Sequence, residues 1–143
     1  MLLPTLFDGL YWLFFVLVYG ASTASGLYVA QALDGAAVWQ TALALVAGYI
    51  TFLHAFVVSL VLLKNLVQPR LQVGSSRVGA TRGFLAWGLN SVFQGIFIAS
   101  PFHDQVHFLF WLRFLYYRGM GMKLHPSVVL GTGVMLRQVE LIR

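Results

Sequence analysis

Residues 36–63, AAVWQTALALVAGYITFLHAFVVSLVLL, contain no charged side chain. A bilayer crossing needs about 20 apolar residues as helix, so this run is long enough to span with tilt. Immediately before it, 10–33 reads LYWLFFVLVYGASTASGLYVAQAL and is equally free of charge. Only Asp34-Gly35 separates the two runs, which makes them antiparallel neighbours in a helical hairpin. Pro4 and Asp8 suit the start of the first helix. Tyr11, Trp12, Tyr28 and Trp39 sit near the ends of the runs, where interfacial aromatics anchor spans. Gly20/Ala24, Ala21/Ser25 and Ser22/Gly26 form small-xxx-small pairs, and Ala44 and Gly48 supply small residues on the second helix; such positions let helices approach closely.

Composition agrees with a lipid-facing chain. Of 143 residues, 59% are hydrophobic and 9% charged, against about 25% charged in soluble domains. The net charge of +5 comes from 9 Lys and Arg against 4 Asp and Glu. These bases are few and flank apolar runs, which points to membrane surfaces rather than nucleic acid. With no cysteine, disulfides, thiolate metal sites and a Cys nucleophile are excluded. The N-terminus lacks the basic segment and cleavage site of a secretory signal.

The first basic cluster, Lys64, Arg70, Arg77 and Arg82, follows the second run, and the 34–35 turn has none. The positive-inside rule therefore puts 64–82, and with it the N-terminus, on the cytoplasmic side. Residues 83–100, GFLAWGLNSVFQGIFIAS, are uncharged but carry Asn90, Ser91 and Gln94 at their middle. Arg82, Ala86, Asn90 and Gln94 recur at four-residue intervals on one helical face. More bases follow at Arg113, Arg118 and Lys123, so a full crossing would put them outside. An interfacial or re-entrant helix, or one packed on the first two, is expected. Pro101 ends it. A further surface helix is expected over 104–118, DQVHFLFWLRFLYYR, with Arg113 snorkelling from an aromatic face.

Candidate chemistry is sparse. His54 lies inside the second run, where an ionisable group is a candidate haem or pigment ligand or proton-path residue. The alternative is a neutral imidazole bonded to Ser22, Thr23 or Ser25. His103 and His107 are four apart, a weak metal pattern without HExxH, and no HxxxxD motif is completed. No paired carboxylates, Ser-His-Asp set, phosphate loop or dinucleotide fingerprint is present.

From 116 the pattern changes to YYRGMGMKLHPSVVLGTGVM. Gly119 and Gly121 break the helix. Leu124 and Leu130 head six-residue units, Val128 and Val134 hold the fifth positions, and Leu136 heads an irregular third unit. This resembles the hexapeptide repeat of left-handed parallel β-helices, whose coils stack and need several turns for stability. Tyr117, Arg118, Gly121 and Lys123 match the Tyr-Arg-x-x-Gly-x-Lys lead-in of bacterial membrane-anchored hexapeptide-repeat acyltransferases, and Pls-type peptide synthetases end in related modules. The resemblance is most specific over 116–136.

The resemblance implies an acyl-CoA donor bound between subunits of a trimer and a catalytic His further along the β-helix than anything in this chain. No cofactor is expected to bind this segment, and no residue inherits a catalytic role. The expected fold is thus a mainly α membrane protein: a transmembrane hairpin over 1–66, a basic segment with interfacial or re-entrant helices over 67–118, and the first coil of an incomplete β-helix over 119–143. The expected function is the membrane-anchoring part of an acyltransferase at the cytoplasmic face of a bacterial inner membrane, inactive alone. The lipid-contacting residues would be Lys64, Arg70, Arg77, Arg82, Arg113, Arg118 and Lys123. The alternative is a small accessory or scaffold subunit of a larger membrane complex, with His54 holding a pigment or haem. A transporter fragment fits less well, because buried charge is nearly absent.

Overall fold

The computed structural model describes residues 2–68 and 82–125. They form five helices: α1 (Leu2–Leu33), α2 (Val38–Val67), α3 (Arg82–Ile98), α4 (His103–Phe108) and α5 (Phe110–Gly119). Two stretches, Thr5–Leu33 and Val38–Val67, are long and apolar enough to cross a membrane.

The turn between them is set by local polar groups. Asp34 Oδ1 accepts from the Gly35 N–H at 3.0 Å and from the Thr41 hydroxyl at 2.9 Å. Gln40 Oε1 accepts from the Ala37 N–H at 3.2 Å, satisfying a donor at the start of α2 that no Ser, Thr or Asp is placed to reach. Of the small-residue pairs, Ser22/Gly26 and Ala44/Gly48 make the contact. A Cβ at Gly48 would lie 2.7 Å from the Gly26 carbonyl oxygen, and one at Gly26 would lie 2.8 Å from the Gly48 carbonyl oxygen. Ser22 and Ala44 are buried beside them. Gly20 faces open space. The hydroxyls of Ser22, Ser25 and Thr51 each donate to the carbonyl four residues back, so the hairpin is held by close backbone packing rather than by hydroxyl bridges.

A second, shorter helical hairpin packs on the first. α3 runs along α1, with the Phe7 ring over Gly88 and edge-on to Phe84. Phe14 stacks on Phe93 with centroids 5.1 Å apart. The chain then turns at Ala99–Phe102, where Ser100 Oγ accepts from the Phe102 N–H at 3.1 Å. The Phe102 ring packs against Phe52 (4.7 Å), Tyr19 (6.3 Å) and Tyr49 (6.3 Å). Tyr19 and Phe52 lie at the middles of the two long helices, so the turn reaches half their length. α4 and α5 return: Tyr116 stacks on Phe97 at 3.8 Å, and Gly119 meets Val61. The buried core takes Phe14 and Val18 from α1 and Leu53, Phe56, Val57 and Leu60 from α2, all on the near side of that midpoint. It is continuous with buried residues of α3 to α5, so the boundary expected at 66/67 does not separate two cores.

α3 packs on the first two helices, one of the placements expected for it, and its polar stripe points inward: Asn90 is 1% and Gln94 9% exposed, whereas Trp87 and Ile98 face out. One expectation is corrected. The helix expected over 104–118 is two helices broken at Leu109 (φ −84°, ψ 95°), where the extended backbone interrupts the helical bonding and the side chain packs against the core. Among the described residues there is no strand. Leu124, the first hexad position, packs against the helical core. Val128, Leu130, Val134 and Leu136 lie outside the described residues.

Candidate functional site at the exit of α5

A helix ends with four carbonyls that lack intrahelical partners. In α5 all of them are met. The Met122 N–H donates to the Tyr117 carbonyl and the Gly121 N–H to the Arg118 carbonyl, each at 3.1 Å. With Gly121 at φ 104°, this is a Schellman motif, and buried Met122 and Tyr117 supply its apolar contact. Gly121 is therefore the capping glycine. Gly119 serves a different purpose. A Cβ there would fall 2.5 Å from Val61 Cγ1, so its absence lets α5 close on α2. The last two carbonyls are held by α2: Asn65 Nδ2 donates to Gly119 O at 3.2 Å and Lys64 Nζ to Met120 O at 3.0 Å.

This arrangement corrects the placing of Lys64 at the lipid headgroups. Lys64 is 4% exposed. Helical side chains lean toward the N-terminus, which swings this cation from the end of α2 into the interior, onto the negative end of the α5 dipole. Arg113, expected to snorkel, is likewise 4% exposed. Arg118 and Lys123 are exposed, with the Arg118 guanidinium 5.8 Å from the Phe114 ring centroid. Arg70 and Arg77 lie outside the described residues, as does the side chain of Arg82. Lys64→Met should leave the Met120 carbonyl unpaired at a cost of about 1–3 kcal/mol. Tryptic cleavage at Arg118 and Lys123 should then accelerate; an unchanged cleavage rate would contradict the clamp.

His54 does not bond to Ser22, Thr23 or Ser25. Its Nδ1–H donates to the Ile50 carbonyl at 2.7 Å, and its Nε2 accepts from Trp111 Nε1–H at 3.1 Å. Both ring nitrogens are engaged, so ligation of a metal or haem iron would require displacing Trp111. His103 Nδ1 lies 3.2 Å from Asp104 Oδ1 and its ring meets Phe97 edge-on. The His107 side chain lies outside the described residues. No group of three or more His, Cys, Asp or Glu able to hold a metal ion occurs among the described residues. Burial, with neighbouring Tyr117 adding to it, pushes the Tyr116 hydroxyl pKa up, keeping it protonated.

Two participants escaped sequence reasoning, Asn65 and Trp111, while Asn90 and Gln94 read as a polar stripe without a direction. The signal for Asn65 was adjacency to Lys64 at the end of an apolar run. Trp111 gave no signal, since its partner is 57 positions away. The chain matches no protein-family model, no curated protein and no solved structure.

Proposed function

We propose that this chain is a membrane platform that holds the segment following α5 at the cytoplasmic face. α1 and α2 cross the bilayer. α3, the Ala99–Phe102 turn and α4–α5 form a re-entrant hairpin that enters the cytoplasmic leaflet and returns. One observation carries this reading: the turn packs at mid-length of two membrane-length helices, and the chain comes back to the end of α2, where Lys64 and Asn65 fasten it. The Schellman cap and the two side-chain donors satisfy the carbonyls at the end of the returning limb, as a non-aqueous environment demands.

The resemblance over 116–136 gives the platform its purpose: it presents a hexapeptide-repeat acyltransferase, which uses an acyl-CoA donor, beside a membrane-bound acceptor. Trimerisation through the β-helix belongs to the same proposal. The accessory-subunit alternative draws no support from His54, whose nitrogens are both hydrogen-bonded.

Because the chain has no cysteine, single cysteines can map the topology cleanly. A membrane-impermeant maleimide should label Asp34→Cys from the outer side only and Lys123→Cys from the cytoplasmic side only. Phe102→Cys should be labelled from neither. Labelling of position 102 from outside would make 82–125 a crossing and sink the re-entrant reading.

A further inference from the structure

The cover over the first hairpin stops halfway along it. On α2, Leu53 lies in the core at 2% exposed. Leu45 and Val46 stand about two turns before Phe52 and Leu53 on the same face, yet they are 64% and 57% exposed. The Phe102 turn, packed on Phe52, Tyr49 and Tyr19, marks the edge of the cover. The 30 residues of α2 measure about 45 Å, the thickness of a bilayer with its headgroups. Phe52 lies about 22 Å from the end of α2 at Val67, which is the level of the bilayer midplane.

Among the described residues, the cytoplasmic leaflet then holds α1, α2, α3 and the returning limb of α4 and α5, whereas the outer leaflet holds α1 and α2 alone. A helix with its side chains is about 10–12 Å across, so the two extra sections add about 200 Å² to one leaflet only. A leaflet with more inserted area than its partner relieves the difference by bending, with itself on the convex side. One-sided insertion of this kind makes interfacial helices sensitive to curvature. Here the inserted helices are fixed to two spans, which set the direction of the bend. We infer that the chain is a wedge selecting membrane that is convex toward the cytoplasm, such as the rim of an infolding. The inference rests on the re-entrant reading and goes beyond it in naming the lipid surface that the hairpin fits. On that surface the headgroups around the exit of α5 are spread furthest apart, which opens a membrane-bound acceptor to the segment that follows.

The test places the full chain, in both orientations, in giant phosphatidylcholine vesicles from which narrow tethers are pulled. The outer surface of a tether is convex. A low protein density keeps the segments outside the membrane from crowding it. An impermeant fluorescent maleimide added outside marks, in the Lys123→Cys variant, only molecules whose cytoplasmic side faces out. In the Asp34→Cys variant it marks only molecules facing the other way. Relative to the vesicle body, the first population should be enriched on the tether and the second depleted. The contrast between them should be about fivefold, equivalent to about 1 kcal/mol.

Equal partition of the two populations overturns the inference, whether both are enriched or neither is, because a chain of equal section in both leaflets does not tell the two faces apart. Enrichment of the molecules labelled at position 34 overturns it as well. Labelling of the Phe102→Cys variant separates the wedge from the reading it rests on. A thiol at position 102 shielded from both sides, with equal partition, removes the wedge alone. A thiol there that is reached from the outer side removes the re-entrant hairpin and the wedge with it.

Discussion

Gly48→Leu should separate α1 from α2 without unwinding either. A Cβ at position 48 would sit 2.7 Å from the Gly26 carbonyl oxygen and 2.9 Å from Ala30 Cβ. The first of these is backbone and the second is fixed to it, so no side chain can rotate away. Overpacking of this kind costs about 1–3 kcal/mol where neighbours can adjust, and here the upper end applies. Each long helix keeps its own hydrogen bonds in lipid, so circular dichroism should show unchanged helicity. The midpoint of unfolding in sodium dodecyl sulfate should fall. Gly20→Leu is the control: nothing lies within 4 Å of a Cβ there, and its effect should stay within about 0.5 kcal/mol. A shared response of the two variants would mean that the close approach at Gly26 and Gly48 is not what joins the helices.

That contrast shows how far the sequence was legible. Length and lack of charge mark α1 and α2, the two properties that a bilayer crossing would require. The short Asp34-Gly35 turn makes them antiparallel. Spacing shows which residues are small but not which face is turned to the partner, so Ser22/Gly26 and Gly20/Ala24 look equivalent until the helices are packed. The same ambiguity governs the stripe at Ala86, Asn90 and Gln94. A four-residue period fixes a face, yet a polar face can seek headgroups or the protein interior, and only the packing of α3 along Phe7 and Phe14 decides. Lys64 and Arg113 were misplaced for a related reason. Counting bases across flanks treats each as a headgroup contact, whereas Lys64 finds its partner in a carbonyl 56 residues later. Neither glycine nor proline marks the break at Leu109, a partly buried residue packed against the core. In the α5 exit, Gly119 and Gly121 were readable as helix breakers. Their division of labour, close approach for one and left-handed capping for the other, required the neighbour Val61.

Phe97→Ala should open the hairpin that α3 forms with α4 and α5 while leaving the α1–α2 hairpin intact. Phe97 is 2% exposed. Its ring stacks on Tyr116 at 3.8 Å and 18°, and meets the His103 ring edge-on at 5.0 Å. It therefore joins α3 to both parts of the returning limb. Truncating a buried Phe costs about 3–5 kcal/mol in water-soluble cores. In lipid the removed ring forfeits packing more than shelter from water, so the lower end, about 3 kcal/mol, is expected. The loss is local, because the Gly26–Gly48 contact and the packing of Phe14 on Phe93 do not involve position 97. The readout follows from that separation. Combined with Phe97→Ala, the thiol of Phe102→Cys should become reactive to maleimide from the cytoplasmic side, while labelling of Asp34→Cys stays as it was. Phe97→Leu keeps most of the apolar volume and should largely preserve the shielding. A thiol at position 102 that remains shielded alongside Phe97→Ala would mean that the contacts of the tip with Tyr19, Tyr49 and Phe52 hold it without the stack. The stack between α3 and α5 would then be a consequence of the turn at mid-length of α1 and α2 rather than its cause.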